Sequence, residues 1–385
     1  MKHAKAMFLA AVLVLQACGG EGDNNTASGN ADATSSMDAD TASGFYAPSY
    51  GDASSDARWK ADLSSVTDRV VAYQDAGSEL APLITSVDDR LVQVFGDYKV
   101  KLISASKNSC PDGLEGCDKT DSAALGVGSS ALVAGLDGLK SGVKDQGQRG
   151  TCVAFSMNAG MELLLSRQGQ DGKLAEQNTY FEGKRLTETW DSAGLSPYDT
   201  IASFVDQRTR WVAESYWPYN RDDKSCDRYS TEHPDATCSA TEAQGGGSDT
   251  KQQDPHAAAA DGYRLTTAHQ LYASVGRIKQ ALHRGYPVVA SINANYDFEL
   301  ATYKGGVVSW AVKADSCGIS LCGHEVLVVG YQDSDKVHGG GYFIVKNSWS
   351  SDWGDGGLAY VTYEWLAHSL LDAQALVEVH SSATR

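Results

Sequence analysis

The sequence predicts an α+β chain in which helices come first and strands second. Apolar residues recur at helical spacing from Cys152 to about Gln168, near Pro197 to Val205, and from Thr267 to Arg284. Short strand-like apolar runs follow at Val288 to Asn293, Glu325 to Tyr331, Gly341 to Val345 and Leu358 to Tyr363. Such segregation points to helices packed beside a sheet rather than to alternating βα units. The 385 residues, 42% of them hydrophobic, suffice for two domains or one large domain with extras. There are no internal repeats.

Taken from the start, the chain opens as "MKHAKAMFLAAVLVLQACGG", with basic residues, an apolar run from Ala6 to Leu15 and a small residue before Cys18. This pattern predicts a secretory signal peptide over 1–17. Its end, Leu15-Gln16-Ala17-Cys18, resembles the lipobox of bacterial lipoproteins, which implies cleavage before Cys18 and lipid on its sulfur. In a Gram-negative bacterium, Gly19 in place of aspartate would imply sorting to the outer membrane; an envelope or cell-surface location is the expectation. Beyond the first twenty residues no stretch of 18 or more is apolar enough to span a membrane. A net charge of −17 argues against binding nucleic acid or anionic lipid through charge.

Residues 18–56 hold the expected lipid site and a Gly/Ser/Ala/Asp-rich stretch that cannot bury a core. As a flexible tether it would span roughly 30–35 Å. Residues 57–130 change character. Val70, Val71 and Tyr73, then Leu91, Val92, Val94 and Phe95, predict two or three helices, with Asp62, Ser64 and Ser86 as candidate starts. Residues 131–385 form the main domain, interrupted at 219–261 by a polar insert expected to be a surface loop.

Eight cysteines are present. With Cys18 assigned to lipid and Cys152 left over, six remain as near neighbours: Cys110 with Cys117, Cys226 with Cys238, Cys317 with Cys322. Local disulfides are the simplest pairing of fifteen formal ones, and an exported chain meets an oxidising compartment.

The chemistry centres on "QGQRGTCVAFS" at 146–156, which sets Cys152 between a glycine-rich turn and the first turn of a helix. A helix N-terminus favours the thiolate, the nucleophilic form, through unpaired N–H groups and the helix dipole. An adjacent histidine with its own orienting partner would activate it further. Of nine histidines, His3 falls in the signal, and His233, His256, His283 and His338 sit in polar or loop surroundings. His324 stands at the mouth of the strand in "CGHEVLVVGYQ". In "YFIVKNSWSSDWGDGG", Asn347 can accept the histidine N–H and the Trp349 indole can cover that bond from water.

"VKDQGQRGTCVAFS", "GHEVLVVGY" and "VKNSWSSDWGDGG" together resemble the three signature blocks of papain-like cysteine peptidases, in the family's order Gln, Cys, His, Asn. "LAEQNTY", "ESYWPYN" and "FELATYKGGVV" resemble weaker family segments between them. The resemblance implies a two-lobed fold with a helical left lobe, an antiparallel β-barrel-like right lobe and a cleft between, here preceded by a helical N-terminal segment. It implies that Cys152 attacks the scissile carbonyl, His324 serves as base and then acid, Asn347 orients His324, and Gln146 donates to the oxyanion beside the Cys152 N–H. It further implies a protein or peptide substrate, with no metal and no organic cofactor. Gly194, Leu195, Ser196, Gly323 and Trp349 fall where relatives line the substrate cleft. The cysteine and histidine stand farther apart than the family's about 130–150 residues, and the 219–261 insert accounts for the excess.

Three departures are visible. Arg149 stands where the family usually has a disulfide cysteine, and would add positive potential beside the thiolate. Val153 replaces the tryptophan that usually follows the nucleophile, and Gly323 replaces an aspartate or asparagine. Residues 57–130 occupy the place of an inhibitory propeptide without its usual motif; they either cover the cleft until removed or form a permanent support. The expected product is a lipid-anchored, monomeric endopeptidase; an exopeptidase, a transpeptidase and a non-catalytic surface binding module are the alternatives.

Overall fold

The computed structural model describes residues 57–75, 107–147, 149–170, 172–190, 194–219, 254–309 and 323–381. Cys18, the tether, the helix expected after Ser86, most of the 219–261 insert, and Cys226, Cys238, Cys317 and Cys322 lie outside the described residues.

Helix α1 (Ala57–Asp75) starts ahead of the expected Asp62. Leu63, Val66 and Val70 recur every three or four residues and are buried. That face lies on the sheet side: Tyr342 Oη donates to the Leu63 carbonyl at 3.0 Å. Arg69 donates to the Gly305 carbonyl and pairs with Asp355 at 2.7 Å.

Residues 107–130, grouped by sequence with this helical segment, pack into the body of the protein. Cys110 and Cys117 form a disulfide, as local pairing predicts. The Asn108 N–H donates to Leu371 O at 2.8 Å, and Lys279 Nζ donates to Thr120 O at 2.7 Å. Strand β1 (Ser130–Leu132) then pairs antiparallel with residues 330–332.

Helices α2 (Cys152–Arg167), α3 (Glu176–Thr187) and α4 (Pro197–Asp206) form the helical side. Ser196 caps α4, its Oγ accepting from the Asp199 N–H. The expected helix over Thr267–Arg284 divides in two. Its first part belongs to strand β2 (Tyr263–Gln270), and helix α5 spans Val275–His283, capped by Ser274. The β-branched Thr266 and Thr267 suit a pleated ladder, and pairing with strand β8 (Leu370–Ser381) outweighs the helical spacing.

Strand β3 (Val288–Asn293) has the expected bounds. Strand β4 is Val307–Val308, β5 is Gly323–Asp333, β6 is Gly341–Lys346 and β7 is Leu358–Thr362. The last expected strand stops one residue early, because Thr362 Oγ1 accepts from the Trp365 N–H and starts helix α6 (Tyr363–Ser369). The strand order is β2-β8-β3-β5-β6-β7-β4, with β1 added on β5. Neighbours are antiparallel except β4 and β7. Among the described residues this sheet is open, not barrel-like. Beyond its bonds to β8, β2 also exchanges backbone bonds of 2.8 Å between Tyr263 and Trp211 on the helical side, and two-residue β4 is too short to close the other end.

Helix α2 lies against the sheet so closely that a methyl on Gly160 would meet methyls of Leu376 and Leu327 at 2.6 and 3.2 Å. Gly160 is therefore what lets α2 seat on β5 and β8.

A half-buried carboxylate gives one test of stability. Asp372 on β8 accepts from Gln374 at 2.6 Å and Asn108 at 3.3 Å. Burial nevertheless raises its pKa to about 6, with those bonds opposing the rise. The folded state thus favours the protonated form. This contribution is full below the unfolded value near 4 and is lost as pH rises through 6. Asp372→Asn is expected to stabilise the fold at pH 7 by at most about 3 kcal/mol and so to raise the melting temperature. Melts of both proteins converging at pH 4 and diverging at pH 7 are the expected pattern; equal melts at pH 7 would reject it.

Candidate active site

Cys152 is the first residue of α2 and is 3% exposed. It carries no disulfide. Ser156, one turn later on the same face, donates from Oγ to the Glu325 carbonyl at 3.0 Å. Gly160, a turn further, meets Leu327. Helix and strand therefore run in the same direction, one helical turn of about 6 Å for two strand residues. Stepping one turn back from Ser156 reaches Cys152; stepping two residues back from Glu325 reaches Gly323. The start of α2, with Cys152, and the start of β5, with His324, thus lie at the same end of the α2–β5 seam.

His324 is 3% exposed. Its Nε2 lies 2.8 Å from Asn347 Oδ1. The same Oδ1 accepts the Ser348 backbone N–H at 2.8 Å. An oxygen that already receives an amide proton is the acceptor face of the asparagine, so Nε2 of His324 carries a proton and donates. That fixes the tautomer. Nδ1 is the nitrogen left for the cysteine, and it is buried with no hydrogen-bond partner among the described residues. The Trp349 ring stacks on the imidazole, centroids 4.5 Å apart and planes 27° apart. Phe298 meets both rings edge-on at 5.9 and 5.6 Å. These aromatics hold the imidazole plane and keep water from the bond to Asn347.

Gln146 is fully buried. Ser348 Oγ donates to its Oε1 at 2.6 Å, so the amide nitrogen points the other way, and Nε2 donates to the Arg149 carbonyl at 2.9 Å. The Gln146 N–H donates to Ser348 O at 2.9 Å, and the Ser350 N–H to Lys144 O at 3.2 Å. Asp145 and Trp349 face each other across this short ladder. The loop before Cys152 is thereby joined to the Asn347–Trp349 segment. Gly147 allows the turn, at φ 64°. Ser348, quoted only as part of a motif, proves to bond both Asn347 and Gln146; its place between Asn347 and Trp349 was the available signal.

Arg149 is 1% exposed and donates from Nη1 to Gln177 Oε1 on α3 at 3.0 Å. Of the residues expected to line a substrate cleft, Trp349 covers His324 and Gly323 opens β5 opposite Asn293. Leu195 instead buries its side chain against Gly183 of α3, and Ser196 spends its hydroxyl on the α4 cap. Gly194, at φ 71°, leaves only backbone to offer there.

Behind Asn347 lies a buried charge cluster that the sequence reading missed. Lys144 Nζ bonds Glu176 at 2.6 Å and Glu162 at 3.0 Å. Burial pushes Glu176 up to about 7 against the pull of Lys144. Lys346 Nζ donates to Leu139 O at 2.6 Å, and burial lowers its pKa to about 8. Lys144, Glu162, Glu176 and Lys346 line a small cavity with Asn347 and Ser348. Among the described residues no group of His, Cys, Asp and Glu side chains is arranged to hold a metal ion.

Comparison with known proteins gives a consistent result. Residues 137–377 match the model of the family described as papain family cysteine protease. Cathepsin J of Rattus norvegicus is 26% identical over 246 residues, 62% of each chain. Cathepsin K of Mus musculus is 31% identical over 219 residues, 56% of this chain and 54% of the relative. The chain thus spans roughly half to under two thirds of these relatives. The crystal structure of xylellain, a cysteine protease from Xylella fastidiosa, superposes with a TM-score of 0.51 at 18% identity, covering 72% of this chain and 98% of that one. That likeness concerns the fold.

Proposed function

Because the chain belongs to the papain family of cysteine proteases, we propose that it is a cysteine endopeptidase acting through Cys152, His324, Asn347 and Gln146. The observation that carries this reading is the fixed tautomer of His324. Its Nε2–H is committed to Asn347, and its buried Nδ1 stands at the end of the seam where Cys152 begins α2.

The steps follow from that arrangement. His324 Nδ1 takes the Cys152 proton, and the thiolate sulfur bonds to the peptide carbonyl carbon. The oxyanion receives the Cys152 backbone N–H and the Gln146 side-chain N–H. The C–N bond breaks as the Nδ1 proton passes to the leaving amine, leaving a thioester. A water then gives its proton to Nδ1 and attacks the thioester carbon. The acid leaves and the sulfur departs as thiolate. The imidazolium formed on the way is stabilised by Asn347 and shielded by Trp349.

We also propose that residues 1–17 direct export, that Cys18 carries a lipid, and that the chain is a monomer tethered at a bacterial envelope. The lipobox-like Leu15-Gln16-Ala17-Cys18 supports the first two points. Residues from 107 onward stay with the enzyme in this reading, because their disulfide and β1 are built into its body. Removal of the earlier part would release it from the lipid.

One experiment tests the reading. The chain extracted from membranes is treated with a thiol-directed epoxide, then analysed by mass spectrometry beside its products on a long peptide. A single adduct on Cys152, internal cuts, and a lipid increment lost in Cys18→Ser are expected. A folded protein with no adduct on Cys152 rejects the peptidase. Release of dipeptides or single residues reassigns it as an exopeptidase, and ligated products as a transpeptidase. A chain without the lipid mass rejects the anchor alone.

A further inference from the structure

We propose that Arg149 and Tyr219 form a positioning clamp that holds the loop bearing the oxyanion donors, an inference that rests on the peptidase reading above. The donors are the Gln146 amide and the Cys152 N–H, at the two ends of one short loop. That loop contains Gly147 and Gly150, so its own backbone preferences are weak. The cysteine whose disulfide usually anchors this stretch is replaced by Arg149.

Tyr219 reaches both ends of the loop at once. Its Oη donates to the Gln146 carbonyl at 2.7 Å. A phenol has one proton, so the 2.8 Å contact with Thr151 Oγ1 is a bond in which Thr151 donates. The tyrosine ring lies under the Arg149 guanidinium, 4.6 Å from its carbon to the ring centroid. It also meets Phe155, in the first turn of α2, edge-on at 4.8 Å. Arg149 is tied to α3 through Gln177, and its carbonyl takes the Gln146 side-chain N–H. Gln146, Arg149, Thr151 and Tyr219 thus close a ring of contacts around the loop. None of these bonds needs the substrate. Arg149 and Tyr219 act through Gln146 and Cys152, and are positioning residues rather than catalytic ones. Burying a guanidinium is unfavourable, and an apolar residue packed here would serve stability as well. What the pair contributes is a fixed backbone without a disulfide.

Tyr219→Phe tests this, because it keeps the ring on Arg149 and Phe155 and removes only the hydroxyl. Hydrogen exchange at the amides of residues 146–152 is expected to speed up at least 10-fold. The kcat on a peptide substrate is expected to fall about 10-fold with KM within two-fold, and alkylation of Cys152 by iodoacetamide to stay within two-fold. A merely structural defect would slow alkylation together with kcat, and that result overturns the proposal. Unchanged exchange overturns it too, as does an unchanged kcat in an active enzyme. If the unmodified protein cleaves no peptide yet exchange responds, the peptidase reading fails and the clamp stands. Thr151→Val removes the second bond to Tyr219 and gives the same readout should Tyr219→Phe not fold.

Discussion

Cys152→Ala is expected to lower kcat/KM for peptide hydrolysis by roughly 10⁴–10⁶-fold, the range seen when a nucleophile that acts as a unit with its base is removed. The loss should be nearly complete because no other described group at this site is placed to form the acyl intermediate. The other cysteines of the described residues, Cys110 and Cys117, are locked in a disulfide. Ser156 is the nearest hydroxyl on the same helix face, but its proton is committed to the Glu325 carbonyl. The substitution removes one sulfur from a buried site at the end of α2, so the fold should survive it. Steady-state kinetics beside a thermal melt check the result. A folded variant retaining a tenth of the activity would remove Cys152 from the mechanism. His324→Ala is a poorer probe, since it also empties the space between Trp349 and Phe298.

The parts of this site that the sequence revealed are those that must sit at the end of a regular element. Cys152 opens a helix, His324 opens a strand and Asn347 follows one, and local patterning is enough to see each. Strand β3 was legible to the residue because Val288, Val289 and Ile292 make a short, β-branched run just after Pro287. Strands β2 and β8 were not: the register of Tyr263–Gln270 against Gln374–Ser381 is a pairing across more than a hundred residues, and β2 alone carries mixed polarity. Helix α3 escaped notice for a similar reason. Its sequence, EQNTYFEGKRLT, is polar, and it is helical because Glu176, Gln177 and Asn178 bury into contacts with Lys144, Arg149 and Arg210. Arg149 and Tyr219 showed the same limit. A charged residue beside the nucleophile reads as a source of potential, and only the packing reveals it as a buried member of a loop clamp.

Gln146→Ala is expected to lower kcat about 10²–10³-fold with little change in KM, the cost of losing one preorganised oxyanion donor. The donor's value lies in its fixed direction. Ser348 Oγ at 2.6 Å from Gln146 Oε1 decides which end of the amide is nitrogen, and the Gln146 N–H bond to Ser348 O holds the backbone beneath it. The same Ser348 presents its N–H to Asn347, so one residue sets the amide that receives the oxyanion and the amide that steadies His324. Ser348→Ala should therefore cost less than Gln146→Ala, about 10-fold, because the donor remains but its orientation is no longer enforced. Gln146→Glu should be worse than alanine at neutral pH: the shape is kept, but a carboxylate replaces the donor and repels the charge that develops on the substrate oxygen. Kinetics of the three variants on one peptide should rank Ser348→Ala above Gln146→Ala above Gln146→Glu. If alanine at 146 leaves kcat within three-fold, the Cys152 N–H stabilises the oxyanion without Gln146, whose amide would then serve only to hold the Arg149 carbonyl.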